Sequence, residues 1–215
     1  MVIEGQTTSR LRSVYRRSAP WYDLLDLPFE WGRYRTIRPQ IFADVTGARR
    51  LLDCGVGTGR NIPFYPEGTK VTGIDLSRGM LAGARNRAAK LRRKIELFEG
   101  DVLALPFKEG TFCAATATFL FCVLPDEVQP AALSEIERVV KSGGRIVLLE
   151  YVLSKNPIRR RLMRMWAPWV RFAYGAAFDR RTEEQVQKAG LLIEKRRFVH
   201  ADIILQLTVR VPDKR

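Results

Sequence analysis

Apolar residues recur along this chain in two rhythms. Short continuous runs bounded by glycine, proline or acidic residues predict buried strands, and apolar residues three and four apart predict helices. The strand runs are Leu51–Asp53, Val71–Asp75 ("VTGID"), "IELFEGD" at 95–101, "GTFCAATATFLF" at 110–121 and "RIVLLEYV" at 145–152. Two more follow at 191–199 and 203–211. The fourth is apolar almost throughout, as a central parallel strand covered on both faces should be. Helical spacing fills the intervals. Ser77 is placed to cap a helix over Arg78–Leu91. Gln129–Lys141 turns Leu133, Ile136, Val139 and Val140 inward and ends before Gly143 and Gly144. Glu183–Ala189 stops at Gly190. A short helix should follow the glycines after Leu51–Asp53, closed by Pro63 or Pro66. Residues 9–45 read as helical, interrupted at Pro20, Pro28 and Pro39, and residues 157–174 as a helix pair or a kinked helix with Pro168 inside.

Strands alternating with helices indicate an open α/β sheet. The last two strands are linked near Ala201–Asp202, which is too short for a crossover helix, so they should be antiparallel at one sheet edge. The chain of 215 residues suits one domain, with residues 1–45 as a helical lid before a single α/β unit over 46–215.

The chemistry concentrates where the first strand turns, in "LLDCGVGTGRN". Gly55, Gly57 and Gly59 let the backbone approach a ligand. A dinucleotide fingerprint would put glycine where Arg60 stands, and no G-K-[ST] follows to make a phosphate loop. Asp53 beneath the turn suits an ammonium group better than a phosphate. Asp75 ends the second strand, where a carboxylate can accept both hydroxyls of a ribose. Met80 is placed to pack on an adenine face, and Asp101 to accept from its amino group. Each has a plainer reading alone: Asp75 as a helix cap, Met80 as core, Asp101 as a turn residue. Their order along one α/β unit favours the joint one, and the joint ligand is S-adenosylmethionine.

These segments, with "VTGIDLSRGML", "FEGDVLALPF" and "SEIERVVKSGGRIVLLEY", resemble the class I S-adenosylmethionine-dependent methyltransferases over most of the chain. The resemblance implies a Rossmann-like seven-stranded sheet of order 3-2-1-4-5-7-6 with strand seven antiparallel. It implies that Gly55, Gly57 and Gly59 border the methionine moiety with Asp53 facing its ammonium. Asp75 and Leu76 would lie at the ribose, Met80, Asp101 and Val102 around adenine, and Phe119 near the methionine part. "SVYRRSAPWYDLLD" is similar to a branch holding quinone and phospholipid methyltransferases, in which Tyr22 would line the site under the lid. "FYPEGTKVTGIDLS" and the succession "TFLFCVL…EIERVVKSGG…LLEYV" look closer to bacterial phospholipid N-methyltransferases and also resemble membrane-associated methyltransferase-like proteins that act on thiols, and "AFDRRTEEQVQKAGL" resembles a C-terminal block they share. The expected reaction is therefore N-methylation of a phospholipid ethanolamine head group, with Tyr22 or Glu150 as candidate proton acceptors. A quinol, a small thiol or another lipophilic acceptor is the alternative, and RNA methylation or a non-catalytic binding fold are further ones. His200, the one histidine, is a weak catalytic candidate.

Charge adds a partner. The formal net charge is +14, which suggests an anionic surface, membrane or nucleic acid. At helical spacing Ile158, Leu162, Met165, Trp166, Trp169, Phe172 and Ala173 form one stripe, with Arg160, Arg161, Arg164 and Arg171 opposite or beside it. That is the pattern of an interfacial helix. Leu11, Val14, Tyr15 and Trp21 repeat it against Arg10, Arg12, Arg16 and Arg17. A solvated helix over the sheet and a lid helix are the plainer readings. The tryptophans and methionines favour peripheral attachment to the inner face of a membrane over nucleic acid. The basic run "RNRAAKLRRK" at 85–94 reads as a solvated face. No eighteen-residue uncharged apolar run exists. The first twenty residues do not read as a secretory signal. Cys54, Cys113 and Cys122 fit no metal spacing and read as free thiols of a cytosolic protein.

Overall fold

The computed structural model describes residues 5, 8–9, 11–15, 21–24 and 30–213. The expectations placed on Arg10, Arg16, Arg17, Pro20 and Pro28 lie outside the described residues.

A π-helical turn at Glu30–Tyr34 runs into α1 (Arg35–Ala43). The α/β unit then proceeds through β1 (Arg50–Cys54), a 3₁₀ turn (Ile62–Phe64), β2 (Lys70–Asp75), α2 (Arg78–Lys90), β3 (Glu96–Glu99), β4 (Phe112–Thr118), α3 (Gln129–Val139) and β5 (Val140–Tyr151). It ends with α4 (Pro157–Tyr174), α5 (Thr182–Lys188), β6 (Leu192–His200) and β7 (Ile204–Arg210). The seven strands form one sheet in the order β3-β2-β1-β4-β5-β7-β6. Strands β1 to β5 pair in parallel, and β7 runs antiparallel to both β5 and β6. The expected topology is the observed one.

Side-chain alternation divides the apolar strands between two cores. Leu51, Ala114, Val147 and Leu149 face Ile37, Ile41, Phe42 and Ala84 from α1 and α2. Their neighbours Leu52, Ala115, Ile146 and Leu148 face Leu133, Ile136, Val139 and Val186 from α3 and α5. Helices on both faces explain why these strands read as unbroken apolar runs. Chain order reverses between β1 and β4, and a crevice at the strands' C-terminal ends is where such sheets hold ligands.

Two boundary differences have a visible physical reason. The helix expected to reach Lys141 stops at Val139, because Val140 is already extended and pairs with Phe112. The strand expected over 110–121 stops at Thr118, because Phe119 takes a φ of +56° and leaves the ladder. Residues 157–174 form one helix despite Pro168. Pro168 and Arg164 are both exposed, so the carbonyl that loses its helical donor faces solvent, and both ends are secured. The Asn156 side chain accepts from the N–H groups of Ile158 and Arg159, and Gly175 closes the C-terminus at a φ of +69°. Among the residues of α4 only Met163 is buried, so this helix lies off the sheet.

Gly59 is required twice over. Its φ is +79°, and a Cβ there would lie 2.4 Å from Ile62 Cδ1 and 3.1 Å from the Ala84 backbone. Gly47 has a φ of +85° with nothing within 4 Å. We expect Gly59→Ala to lower unfolding free energy by about 2–4 kcal/mol, from backbone strain plus overpacking, and Gly47→Ala by about 1 kcal/mol from strain alone. Denaturant titration checks this; equal losses at the two positions would contradict it.

Candidate active site

The glycine turn is held open by the strands beneath it. The N–H groups of Gly55 and Val56 both donate to the Ile74 carbonyl, at 2.9 and 3.0 Å. Asp75 pulls the turn from the side: one carboxylate oxygen accepts from Gly57 N–H and the other from Ser77 N–H, each at 2.9 Å. Burial raises the Asp75 carboxyl to about 6, against the lowering effect of those amides. The Ser77 hydroxyl caps α2 by accepting from Met80 N–H.

These groups line a cavity of about 680 Å³ running from the glycine turn to α4. Gly55, Gly57, Asp75, Leu76, Met80, Asp101, Val102, Phe119 and Tyr22 all lie on its wall. Gly59, Asp53 and Glu150 do not. Gly59 packs against Ile62 and Ala84, as described above. His200 stands at the end of β6, also off the wall.

Asp53 departs from its expected position. It is fully buried, and its carboxylate accepts from the Tyr65 hydroxyl at 2.5 Å, the Thr116 hydroxyl at 2.9 Å and the Asn61 amide at 3.1 Å. Burial pushes its carboxyl up, and those bonds together with the Arg38 charge oppose the rise. Asn61 therefore lies between Asp53 and the cavity. Its amide also donates to Thr118 Oγ1, and its carbonyl accepts from Arg38 at 2.8 Å.

Glu150 likewise faces inward. Its carboxylate accepts from the N–H groups of Leu120, Phe121 and Cys122 at 2.8–3.1 Å. Those residues follow Phe119, whose positive φ is a strained conformation for a bulky side chain. The geometry makes Glu150 the anchor of that kink, off the cavity wall, rather than the proton acceptor expected. Burial raises its carboxyl to about 7.

The N-terminal segment latches onto the same turn. Asp23 accepts from the Thr58 hydroxyl at 2.6 Å and is ion-paired with Arg60 at 3.1 Å and Arg87 at 2.5 Å. Arg60, where a dinucleotide fold would have glycine, thus ties Asp23 of the N-terminal segment to the turn. Thr8 donates to Asp101 at 2.5 Å, and Tyr15, Tyr22 and Tyr174 meet in sequence over the mouth, tilted and then edge-on, with centroids 6.4 and 5.8 Å apart.

Beyond Phe119 the wall becomes aromatic and cationic. The Phe119 ring stacks on Tyr151 at 5.2 Å and meets Tyr34 at 4.9 Å, and Phe178 touches Tyr151 at 5.5 Å. The Tyr34 and Tyr151 hydroxyls share a hydrogen bond of 2.5 Å. Arg38 is buried and lies 5.4 Å from the Tyr34 centroid. Arg33 and Arg159 also line this end, whereas the carboxylates on the wall, Asp75 and Asp101, belong to the glycine end. Leu162, Met163, Trp166 and Trp169 of α4 form the outer wall.

The glycine end fits S-adenosylmethionine. A Cβ at Gly55 would lie 3.0 Å from Leu120 Cδ1, so the turn leaves room only for backbone. Asp75 retains lone pairs for two hydroxyls beside its two amides. Asp101 and buried Met80 flank the far end of the same cleft.

Two tests follow from the titratable groups. Asp75 must be ionised to accept ribose hydroxyls, so the S-adenosylmethionine Kd should rise as pH falls below about 6, up to about tenfold per unit. Asp75→Asn should bind weakly and lose that slope; a flat wild-type profile between pH 5 and 7 would contradict it. Glu150 has its folded carboxyl raised, so its contribution is present below its ordinary value of 4.5 and is lost as pH rises through about 7. Wild type should therefore lose on the order of 3 kcal/mol relative to Glu150→Gln across that window. Turnover of Glu150→Gln should stay within about tenfold of wild type, because an anchor does not relay protons. Near-complete loss of turnover in a folded variant would restore Glu150 as the base.

Comparison with known proteins gives the family. Residues 51–144 match a family described as a methyltransferase domain. The chain is 37% identical over 157 residues to a demethylmenaquinone methyltransferase of Thermobifida fusca, covering 69% of this chain and 66% of that protein. It is 34% identical over 171 residues to a ubiquinone/menaquinone biosynthesis C-methyltransferase of Syntrophotalea carbinolica, covering 76% and 69%. It is also 38% identical over 112 residues to a phosphatidylethanolamine N-methyltransferase of Cereibacter sphaeroides, covering 51% and 54%. The chain thus spans about two thirds of the quinone-type relatives and about half of the phospholipid-type one. Among solved structures, a geranyl diphosphate C-methyltransferase of Streptomyces coelicolor superposes with a TM-score of 0.66 at 16% identity, covering 83% of this chain and 80% of that one. By sheet order, site and relatives, the chain belongs to the class I S-adenosylmethionine-dependent methyltransferases and is related to both their quinone and their phospholipid branches.

Proposed function

We propose that the protein methylates a small lipophilic acceptor, and that the acceptor is a phenolic ring of the quinol type carrying an apolar tail. The observation that carries this reading is the chamber beyond Phe119. Its rings are Tyr34, Phe119, Tyr151 and Phe178, and its cations are Arg33 and Arg38, with Arg159 beside them already paired to Asp202. A flat aromatic acceptor stacks there, and a cationic wall favours its phenolate over its phenol. An ethanolamine head group, the acceptor expected from the sequence, would bring an ammonium into that same field. Among the described residues no carboxylate lines this end of the cavity to meet it. The quinone-type relatives also align over more of the chain than the phospholipid-type one does.

S-adenosylmethionine supplies an electrophilic methyl group on a sulfonium. The protein's task is to hold the nucleophile in line and keep water out. Loss of the acceptor hydroxyl proton raises electron density on the ring carbon that is methylated. Arg38, held by Asn61, stabilises the resulting anion, and the Tyr34–Tyr151 hydroxyl pair is placed to hydrogen-bond to the ring oxygen. Tyr22 and Tyr174 close the mouth with Trp169. As the ring carbon forms the new C–C bond, the methyl–sulfur bond breaks and the neutral thioether S-adenosylhomocysteine leaves. The ring carbon then loses its proton, the ring oxygen regains one, aromaticity returns, and one net proton passes to water.

The test is methyl transfer from labelled S-adenosylmethionine into vesicles holding both a prenylated quinol and phosphatidylethanolamine. Label should enter the quinol ring. Arg38→Gln should lower kcat/KM for the quinol by about 10–100-fold, with Arg38→Lys retaining more, and change cofactor Kd less than about threefold. Label in phosphatidylethanolamine alone would overturn the quinol reading and favour N-methylation.

A further inference from the structure

Helix α4 has a face that the active site does not use. Leu162, Trp166 and Trp169 line the cavity wall, and Met163 is buried beneath the helix. Ile158, Met165 and Phe172 point away from that wall and are 73%, 66% and 78% exposed. Aromatic contacts extend this face toward the lid. Trp166 meets Trp169 at 6.2 Å, Trp169 meets Tyr174, and Tyr174 meets Tyr22. The residue before Tyr22 is Trp21, 63% exposed, as is Leu24. Large apolar side chains gathered this way on a soluble surface mark an interaction site.

The polar side of the helix says what the site meets. Five arginines and no acidic residue occur in α4. Among the described residues none of Arg161, Arg164 and Arg171 is in an ion pair with a carboxylate. Arg164 and Arg171 share a small cleft with Leu153, Phe178 and Asp179 behind the helix and, among the described residues, neither is ion-paired to that carboxylate. A second copy would bring another molecule of charge +14 against this one, which electrostatics opposes. At about 1.5 Å per residue the helix is long enough to lie along a surface. No helix among the described residues is long and apolar enough to cross a membrane.

We propose that α4, with Trp21 and Leu24, docks flat on an anionic lipid bilayer. Ile158, Met165 and Phe172 enter the acyl boundary, the arginines take the head-group phosphates, and the tryptophans sit at head-group depth. Leu162 and Trp166 then connect the bilayer to the cavity through one helix, so an apolar tail reaches the site without crossing water. Only that route rests on the acceptor proposed above; the docking itself does not.

The experiment is sedimentation of the full chain with vesicles of phosphatidylcholine alone or with 30–40% phosphatidylglycerol (about the range that gives a strong surface potential) at low and high salt. Binding should be at least about tenfold tighter to the anionic vesicles and fall with salt. Replacing Arg161, Arg164 and Arg171 with glutamate should weaken it by about two orders of magnitude. Ile158→Ser, Met165→Ser and Phe172→Ser together should also abolish it, while cofactor affinity and turnover of a short-chain, water-soluble quinol stay at wild-type level. Equal affinity for neutral and anionic vesicles would overturn the proposal. So would unchanged binding by both variants, or a wild-type dimer that the serine variant dissociates. Vesicle binding with no quinol methylated would leave the docking standing and remove the acceptor reading alone.

Discussion

A carboxylate buried at the end of β1 sets the terms for the whole site. Removed from water, Asp53 must be hydrogen-bonded on all sides or carry a proton. Its partners come from three different places: Tyr65 beyond the 3₁₀ turn, Thr116 on β4 and Asn61 just after the glycine turn. Satisfying Asp53 therefore draws these elements together at the point where the sheet order reverses. The chain of bonds continues outward, from Asn61 to Arg38 on α1 and from Arg38 over the rings of Tyr34 and Phe119. The acidic residue under the turn thus acts at one remove. It orients the group that faces the cavity and the cation that faces the acceptor.

A second buried carboxylate does comparable work on the other side of the crevice. Glu150 gathers the amides that follow Phe119 and so sustains a backbone conformation that a phenylalanine resists. That kink places the Phe119 ring between the glycine end and the aromatic chamber. Two inward-facing carboxylates thereby hold the boundary between a cleft suited to an adenosyl group and one suited to a lipophilic ring. Asp23 brings the lid onto the same turn through Thr58, Arg60 and Arg87, so cover and floor share their anchoring residues.

The sheet was legible because its signals are local. Apolar runs, the glycines and the short link at 201–202 determine strands, turn and edge hairpin with little help from distant contacts. The place of Asp75, Met80 and Asp101 on the cavity wall was legible for the same reason, since each stands at a set offset from a strand end. Asp53 and Glu150 show where such reading fails. A carboxylate at a strand terminus has the same pattern whether it turns toward a ligand or toward its own chain, and the partners that decide it lie up to 63 residues away. The acceptor chamber left no pattern: Tyr34 and Tyr151 meet across 117 residues, and Arg38 reads as one more charge on an amphipathic helix. Its cationic character is what supports the proposed phenolic ring over the amine expected from the sequence. Of the two forms expected at Pro168, the helix pair is excluded, because capped ends and a solvent-facing position tolerate one missing donor within a single helix.

The central claim is that one continuous cavity holds an adenosyl group at the glycine end and an aromatic lipophilic acceptor beyond Phe119. A crystal structure with S-adenosylhomocysteine and a short-chain quinol tests it most directly. The account predicts ribose hydroxyls on Asp75, adenine beside Met80 and Asp101, and the thioether sulfur facing Phe119. It also predicts the quinol ring among Tyr34, Phe119 and Tyr151, one oxygen toward Arg38 and the tail leaving past Trp166. A quinol bound outside that chamber, or an adenosyl group away from Asp75, would contradict it.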